Sequence, residues 1–117
     1  IESVQAIFTH VDEIVFGIVE ALKNYNGPAK LNIKRISGVS AGEGFMKLFE
    51  DSGLEGIDFM TYTFSPSMVR DAVDLGLDVL EGKTLEPSYL IPTEMIDKNN
   101  YKEYMESDLY KIRYSLQ

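Results

Sequence analysis

The stretch AIFTHVDEIVFGIVEAL, residues 6–22, decides the fold class. It begins as a short apolar run centred on Ile7 and Phe8, which is typical of a buried β-strand. Apolar residues then recur at helical spacing as far as Leu22, which predicts an amphipathic helix that starts at Asp12. The polar residues between the two elements either cap this helix or line a binding cleft; they are Thr9, His10 and Asp12.

The same alternation of strand and helix continues along the chain. Strands are predicted at residues 4–9, 32–39, 57–64 and within 88–96, where Pro92 argues for an edge strand or a crossing segment. Helices are predicted from Asp12 to about residues 24–27, over 43–51, from an N-cap at Ser65 to Gly82, and briefly after Asp97, before a loosely held end. This order predicts an α/β fold, a parallel sheet flanked by helices on both faces.

The composition restricts the function classes. The chain has 117 residues, 44% of them hydrophobic, which suits one small globular domain. A formal net charge of -8 disfavours binding to nucleic acid or to anionic membranes. The absence of cysteine excludes disulfides, thiol catalysis and cysteine-based metal sites, and no other metal-ligand cluster or cofactor motif is present. No apolar run approaches the ~20 residues that span a bilayer. Because the chain opens at Ile1 and not at Met, we expect it to be a piece of a longer protein.

Polar side chains follow three of the predicted strands. Thr9, His10 and Asp12 follow the first, Ser40 and Glu43 follow the second, and Thr63 ends the third. In parallel α/β sheets, ligands bind beyond the carboxyl ends of the strands. We therefore expect these three β-to-α junctions to converge on one polar rim.

Each of these signals also has a plainer interpretation. His10 has no evident orienting partner other than Asp12, so an ordinary loop role is favoured over catalysis. Asp12 is interpreted as a cap of its own helix. The segment SGVSAGEG, residues 37–44, lacks a Walker-type ending and is interpreted as a tight strand-to-helix turn. Tyr62 or Phe64 could lie against a sugar ring, and a core position for Phe64 is equally plausible. No nucleophile stands in a triad or elbow context, so the residues favour a protein that is not an enzyme.

Four segments together resemble the type I periplasmic solute-binding proteins of ABC transporters, the group similar to ribose- and galactose-binding proteins. Residues 4–26 resemble that family's AIF-x-x-x-D-x-x-x-x-G-x-x-x-A-L pattern through Asp12, Gly17, Ala21 and Leu22. KRISGVSAGEG occupies the place of the strand that ends in Gly-Phe-Asp. The last two segments, MTYTFSPSMVRDAVDLGLDVLEGK and LIPTEMIDKNNYKEY, resemble the strand and helix before Leu-x-Gly-Lys and the closing stretch of the family.

The resemblance implies a set of solute-contacting positions. They carry over to Val11, Ser40 and Thr63, where the sugar binders usually have Asn, Asp and Gln. Two short hydroxyls and an apolar residue make fewer paired hydrogen bonds to sugar hydroxyls than planar amides and carboxylates do. The implied ligand is therefore a modified or larger carbohydrate or another small polar solute, with His10 and Glu43 compensating and Thr9 beside them.

The resemblance also implies a domain plan and a set of partners. Residues 1–64 would form part of a C-terminal lobe. Residues 65–117 would supply a helix that packs on the N-terminal lobe, a final strand that crosses the hinge, and a tail. The partners would be the missing N-terminal lobe or a second copy of the chain, and a membrane ABC permease. The location would be extracytoplasmic, in the periplasm or as a cell-surface lipoprotein. The effector-binding core of a LacI-type regulator and the ectodomain of a solute-sensing receptor remain alternatives.

Overall fold

A computed structural model describes residues 2–112. Residues 113–117, the last part of the predicted loosely held end, lie outside this range. The elements, in chain order, are β1 Ala6–Phe8, α1 Asp12–Lys23, β2 Arg35–Ser40, α2 Glu43–Glu50, β3 Asp58–Thr63, α3 Met68–Leu80, β4 Met95–Asp97, α4 Tyr101–Glu106 and α5 Asp108–Ile112. The predicted order of strands and helices is confirmed, except that two short helices follow β4 where one was predicted. β4 covers only the end of the segment 88–96 in which a strand was predicted.

The strands form one four-stranded sheet in the order β1-β2-β3-β4. β1, β2 and β3 are parallel, which confirms the predicted α/β fold with a mostly parallel sheet. The prediction of a parallel direction for the last strand was wrong, since β4 runs antiparallel to β3. The chain leaves β3 at Thr63 and returns beside it, where the Thr63 N–H donates to the Glu94 carbonyl at 2.9 Å. A chain that re-enters a sheet at the end it left can only pair antiparallel.

The core lies on one face of the sheet. Successive right-handed crossovers that add strands in one direction place α1 and α2 on the same side. Facing them from the sheet are buried residues that include Ile36, Phe59 and Ile96. α4 joins this side through Tyr101, whose ring lies 5.2 Å from that of Phe49 in α2. The core consists of Val15, Val19, Ile33, Ile36, Ala41, Phe45, Met46, Phe59, Ile96, Tyr101 and Tyr104.

The other face of the sheet, which we call the open face, is uncovered by the described residues. Phe8, Tyr62 and Met95 project from it and are exposed. The strand register places them opposite Ser37, Val39 and Tyr62, on the side away from Ile36 and Phe59. Within residues 2–112, the helices that cover the sheet lie on one face and not on both as predicted. α1 and α2 follow crossovers in the same direction, and α4 packs against α2 on that side.

α3 stands apart from the rest of the fold. Its helix begins at Met68 and not at Ser65 as predicted, because the Ser65 Oγ accepts from the Ser67 N–H in a preceding turn. Its predicted end at Gly82 is confirmed: φ is +80° there, and the Lys83 N–H donates to the Asp78 carbonyl at 2.9 Å. Among the described residues, none in α3 is buried. Over residues 2–112, no helix has both the length and the apolar character required to cross a membrane.

Candidate functional site

The three β-to-α junctions lie at one edge of the sheet, as predicted. Ser40 and Thr63 are direct partners in the β2–β3 register, so the second and third junctions are neighbours. β1 ends at Phe8, opposite Ser37, and its junction continues beyond the sheet toward α1. We call this edge the rim; it consists of residues 9–12, 40–43 and 63–64.

Two of the predicted rim residues use their hydroxyls within the chain. Thr9 is buried, and its Oγ1 lies 2.8 Å from the Val11 carbonyl and 3.0 Å from the Ser37 carbonyl, to which it can donate. The Thr63 Oγ1 accepts from the Glu94 N–H at 2.8 Å. These hydroxyls fix the ends of β1 and β3, so their contribution to the rim is mainly one of shape.

The other predicted rim residues are accessible. His10 and Val11 are exposed, and the His10 ring lies edge-on to the Phe8 ring with centroids 5.1 Å apart. Ser40 is half-buried. Glu43 begins α2 and pairs with Lys47 at 3.2 Å, an exposed ion pair that contributes little to stability. His10, Val11, Ser40 and Glu43 are therefore the predicted rim residues that solvent reaches.

The prediction that Asp12 caps its own helix was wrong. The N-cap residue is Val11, and Asp12 is the first residue of α1. Its carboxylate points to the sheet, where Oδ2 accepts from the Gly42 N–H at 2.9 Å and Oδ1 accepts from the Thr61 Oγ1 at 2.8 Å. Asp12 is 2% exposed. Gly38 makes the space for it, because a Cβ at that position would collide with Oδ1.

Burial raises the pKa of the Asp12 carboxyl above its ordinary value, since removal from water penalises the charged form. Hydrogen bonds from Gly42 and Thr61 act in the opposite direction by stabilising the carboxylate, and the adjacent Glu13 charge adds to the rise. Asp12 is thus a buried acid bonded to β3 and to the turn between β2 and α2, and its pKa sets a pH dependence of stability.

The turn between β2 and α2 has an uncommon backbone. Among residues 2–112, Ser40 (φ 135°) and Ala41 (φ 52°) are the two non-glycine residues with positive φ. Each such residue costs on the order of 1–3 kcal/mol and persists only when its surroundings hold it. Here the Ala41 N–H donates to the Thr61 Oγ1 at 3.1 Å, and the Tyr104 hydroxyl donates to the Ala41 carbonyl at 3.2 Å. The predicted tight turn is confirmed.

Phe64 is 56% exposed, so the alternative that placed it in the core was wrong for this chain. It follows Thr63 directly and adds an aromatic surface to the rim. Tyr62 lies on the open face, on the opposite side of β3 from Thr61 and Thr63. Of the two aromatic candidates, Phe64 is therefore the one at the rim.

Two residues that shape the rim, Thr61 and Tyr104, were not among the predicted site residues. Thr61 is fully buried and stands two residues after Phe59 on the same side of β3. A hydroxyl at a core position of a strand was the available signal, because such a group needs a buried partner. Tyr104 gave no signal, since its link to Ala41 spans 63 residues of sequence.

Metal binding finds no support among the described side chains, where no group of three His, Asp or Glu residues could hold an ion. The larger concave surfaces lie away from the rim. One of about 420 Å³ lies beside the start of β3, between Leu48 and Lys98, and one of about 460 Å³ lies on the open face around Met60 and Tyr62. At the rim itself, a smaller concave surface lies beside Thr63 and Phe64.

The chain is similar in structure to several solved sugar-binding proteins, although no family model and no curated protein matches it. A Mycobacterium smegmatis protein in complex with β-D-fucofuranose superposes with a TM-score of 0.69 and 20% identity, over 94% of this chain and 34% of that one. A galactofuranose-binding protein gives 0.67 and 19%, over 90% and 34%. The periplasmic component of the arabinose ABC transporter of Shewanella sp. ANA-3, bound to α- and β-L-arabinofuranose, gives 0.64 and 20%, over 95% and 34%.

The chain spans about a third of the length of these solved structures. At this level of identity the likeness establishes the fold. The resemblance noted in the sequence is confirmed at that level: the chain has the fold of part of a type I periplasmic binding protein.

Proposed function

We propose that this chain is part of an extracytoplasmic solute-binding protein that captures a carbohydrate or a similar small polar ligand for an ABC importer. The observation that carries the proposal is the rim, in which three β-to-α junctions meet at one sheet edge. The similar solved structures include two proteins with a bound sugar and one that is named for the sugar it binds. In parallel α/β folds this edge is the usual place for a ligand.

The accessible chemistry of the rim suits a sugar. Ser40 and His10 offer hydrogen-bond donors and acceptors, while Val11 and Phe64 offer apolar surface to the C–H face of a ring. The rim thus combines polar and apolar contacts without a nucleophile activated by a base. We infer binding and release without covalent chemistry, so the chain is not an enzyme.

We propose the domain plan that the resemblance to periplasmic solute-binding proteins implies. Residues 1–64 would belong to the C-terminal lobe, and residues 65–117 would include a helix, α3, that packs on the N-terminal lobe. Val69, Val73 and Leu77 form an exposed apolar stripe along α3, which suits burial against such a partner. A second copy of the chain is the other candidate for this stripe.

We place the proposed hinge where the chain leaves β3 and returns to β4, because the two crossing segments lie side by side there. Thr63 and Glu94 join the two segments through two hydrogen bonds, Thr63 N–H to the Glu94 carbonyl and Glu94 N–H to the Thr63 Oγ1. Lobes connected there would close over a solute at the rim and present it to the membrane permease. This role places the full protein in the periplasm or on the cell surface as a lipoprotein.

A thermal-shift screen of the full-length protein tests this function. The panel would contain L-arabinose, D-galactose, D-fucose and D-ribose, with glycine and sodium sulfate as non-sugar controls. We expect at least one sugar at about 100 times its Kd to stabilise the protein by roughly 2.7 kcal/mol and to raise its Tm by several degrees. Failure of every carbohydrate to raise the Tm would contradict the proposal.

A further inference from the structure

Two peptide groups of the rim are held by side chains from three different elements. The Ala41 N–H donates to Thr61 in β3, and the Gly42 N–H donates to Asp12 in α1. The Ala41 carbonyl accepts from Tyr104 in α4, and the Thr61 hydroxyl itself donates to Asp12. The turn that carries Ser40 is thereby connected to every layer of the core.

These bonds act on the strained part of the backbone. Ser40 and Ala41 have positive φ, a conformation that a serine or alanine leaves unless its surroundings fix it. The Ala41 side chain is fully buried, which anchors the turn, while Ser40 stays accessible at the rim. Strain retained at an accessible position, and opposed by a dedicated set of buried hydrogen bonds, is typical of a pre-formed ligand contact.

We propose that Asp12 and Thr61 are positioning residues that hold the Ser40–Gly42 turn in its solute-binding conformation before the solute arrives. The proposal rests on the proposed function, since it assumes that the rim receives a solute. Thr61 is the central member, because it accepts from Ala41 and donates to Asp12. Neither residue touches the solute; each acts through Ser40.

A purely structural role for Thr61 would give a different result. A buried polar network that only stabilises the core affects the whole sheet when it is lost, because the sheet opens as one unit. A positioning role affects the turn more than the strands. Gly42 separates the two cases, because its N–H donates to Asp12 and not to Thr61, so a substitution at position 61 does not remove its acceptor.

The test compares Thr61→Val with Thr61→Ser in the full-length protein. Valine keeps the shape and removes the hydroxyl, whereas serine keeps the hydroxyl and removes a methyl group. Amide hydrogen exchange is measured without sugar for Gly42 and for the strand amides of β2 and β3. We expect Thr61→Val to raise the exchange rate of Gly42 about tenfold more than that of the strands, because two buried groups lose their partner. Thr61→Ser should stay close to wild type.

The second readout is the affinity for L-arabinose, or for D-galactose if arabinose does not bind, measured by calorimetric titration. Thr61→Val should bind about tenfold more weakly, and Thr61→Ser should retain wild-type affinity. A Thr61→Val protein with unchanged affinity, or one whose Gly42 and strand amides accelerate equally, would overturn the proposal. If wild type binds no sugar, the proposed function fails, and the exchange of Gly42 alone decides whether the turn is held as proposed.

Discussion

Glycine is required at position 38 of β2 because the Asp12 carboxylate lies against the backbone there. The glycine belongs to a segment rich in glycine, SGVSAGEG, that superficially resembles a phosphate-binding loop. Its role here is to leave a space in the sheet surface for a buried acid, beside the Phe45 ring. A residue without a side chain is needed because α1 and β2 approach closely at this point.

Gly38→Ala tests this account. The new Cβ would meet Asp12 and Phe45, so we expect a loss of about 1–3 kcal/mol in the free energy of unfolding, measured by urea denaturation. Gly17→Ala in α1 is the matched control. A Cβ there meets no atom within 4 Å, and alanine in a helix interior should stabilise by roughly 0.5–1 kcal/mol. Equal effects of the two substitutions would contradict the close approach at Gly38.

The raised pKa of Asp12 leads to a second prediction, which concerns the pH dependence of stability. Its folded-state pKa is raised by burial, so the folded protein binds this proton more tightly than the unfolded chain. The stabilising contribution of the protonated acid is complete below the unfolded pKa of about 3.9 and is lost as the pH rises through the folded pKa.

Asp12→Asn removes that titration. We expect the stability of wild type minus that of Asp12→Asn to fall as the pH is raised from about 4 toward neutrality, and then to become constant. Urea denaturation of both proteins at a series of pH values measures it. A difference that does not change with pH would show that the pKa of Asp12 is the same in the folded and unfolded states.

The elements themselves were largely predictable from sequence, for physical reasons that differ along the chain. The starts of α1 and α2 were predicted correctly and their ends to within a few residues, because apolar spacing and flanking glycines are local signals. The direction of β4 was not predictable, since it depends on where the chain re-enters the sheet. The partners of Asp12 were also missed, because the contact with Thr61 spans 49 residues, whereas a helix cap is the local default for an acid at a helix start.

The exposed apolar stripe of α3 leads to a further prediction. Val73 is exposed in the middle of its apolar stripe, so Val73→Lys should change the stability of the 117-residue chain by less than about 0.5 kcal/mol. In the full-length protein, where we propose that α3 packs on the N-terminal lobe, the same change should cost about 1–3 kcal/mol. Both values come from urea denaturation.

Val19→Lys is the control for that experiment. Val19 is buried within the described chain, so lysine there should destabilise the 117-residue chain and the full-length protein alike. If Val73→Lys were neutral in both proteins, α3 would have no packing partner in the longer chain. The proposed arrangement of the lobes would then be wrong.

In the molecule as a whole, helices cover one face of the sheet, while the open face and α3 are exposed. The side that carries α1, α2 and α4 contains the hydrophobic core. The open face and α3 expose apolar residues to solvent, among them Phe8, Met95 and Leu80. The division agrees with a chain that spans about a third of the similar solved structures. Under the proposed function, the rim would gain affinity for a solute when a second lobe closes over it.

The most direct test of the central claim, that the rim binds the solute, is a calorimetric titration of L-arabinose or D-galactose into full-length Ser40→Ala and Ser37→Ala proteins. Each substitution removes one serine hydroxyl from β2, but Ser40 lies at the rim, and Ser37 lies three residues earlier in the strand. Ser40→Ala should weaken binding about tenfold, and Ser37→Ala should leave the Kd unchanged. Equal affinity of Ser40→Ala and wild type, with binding intact, would show that the sugar lies elsewhere and would contradict the account.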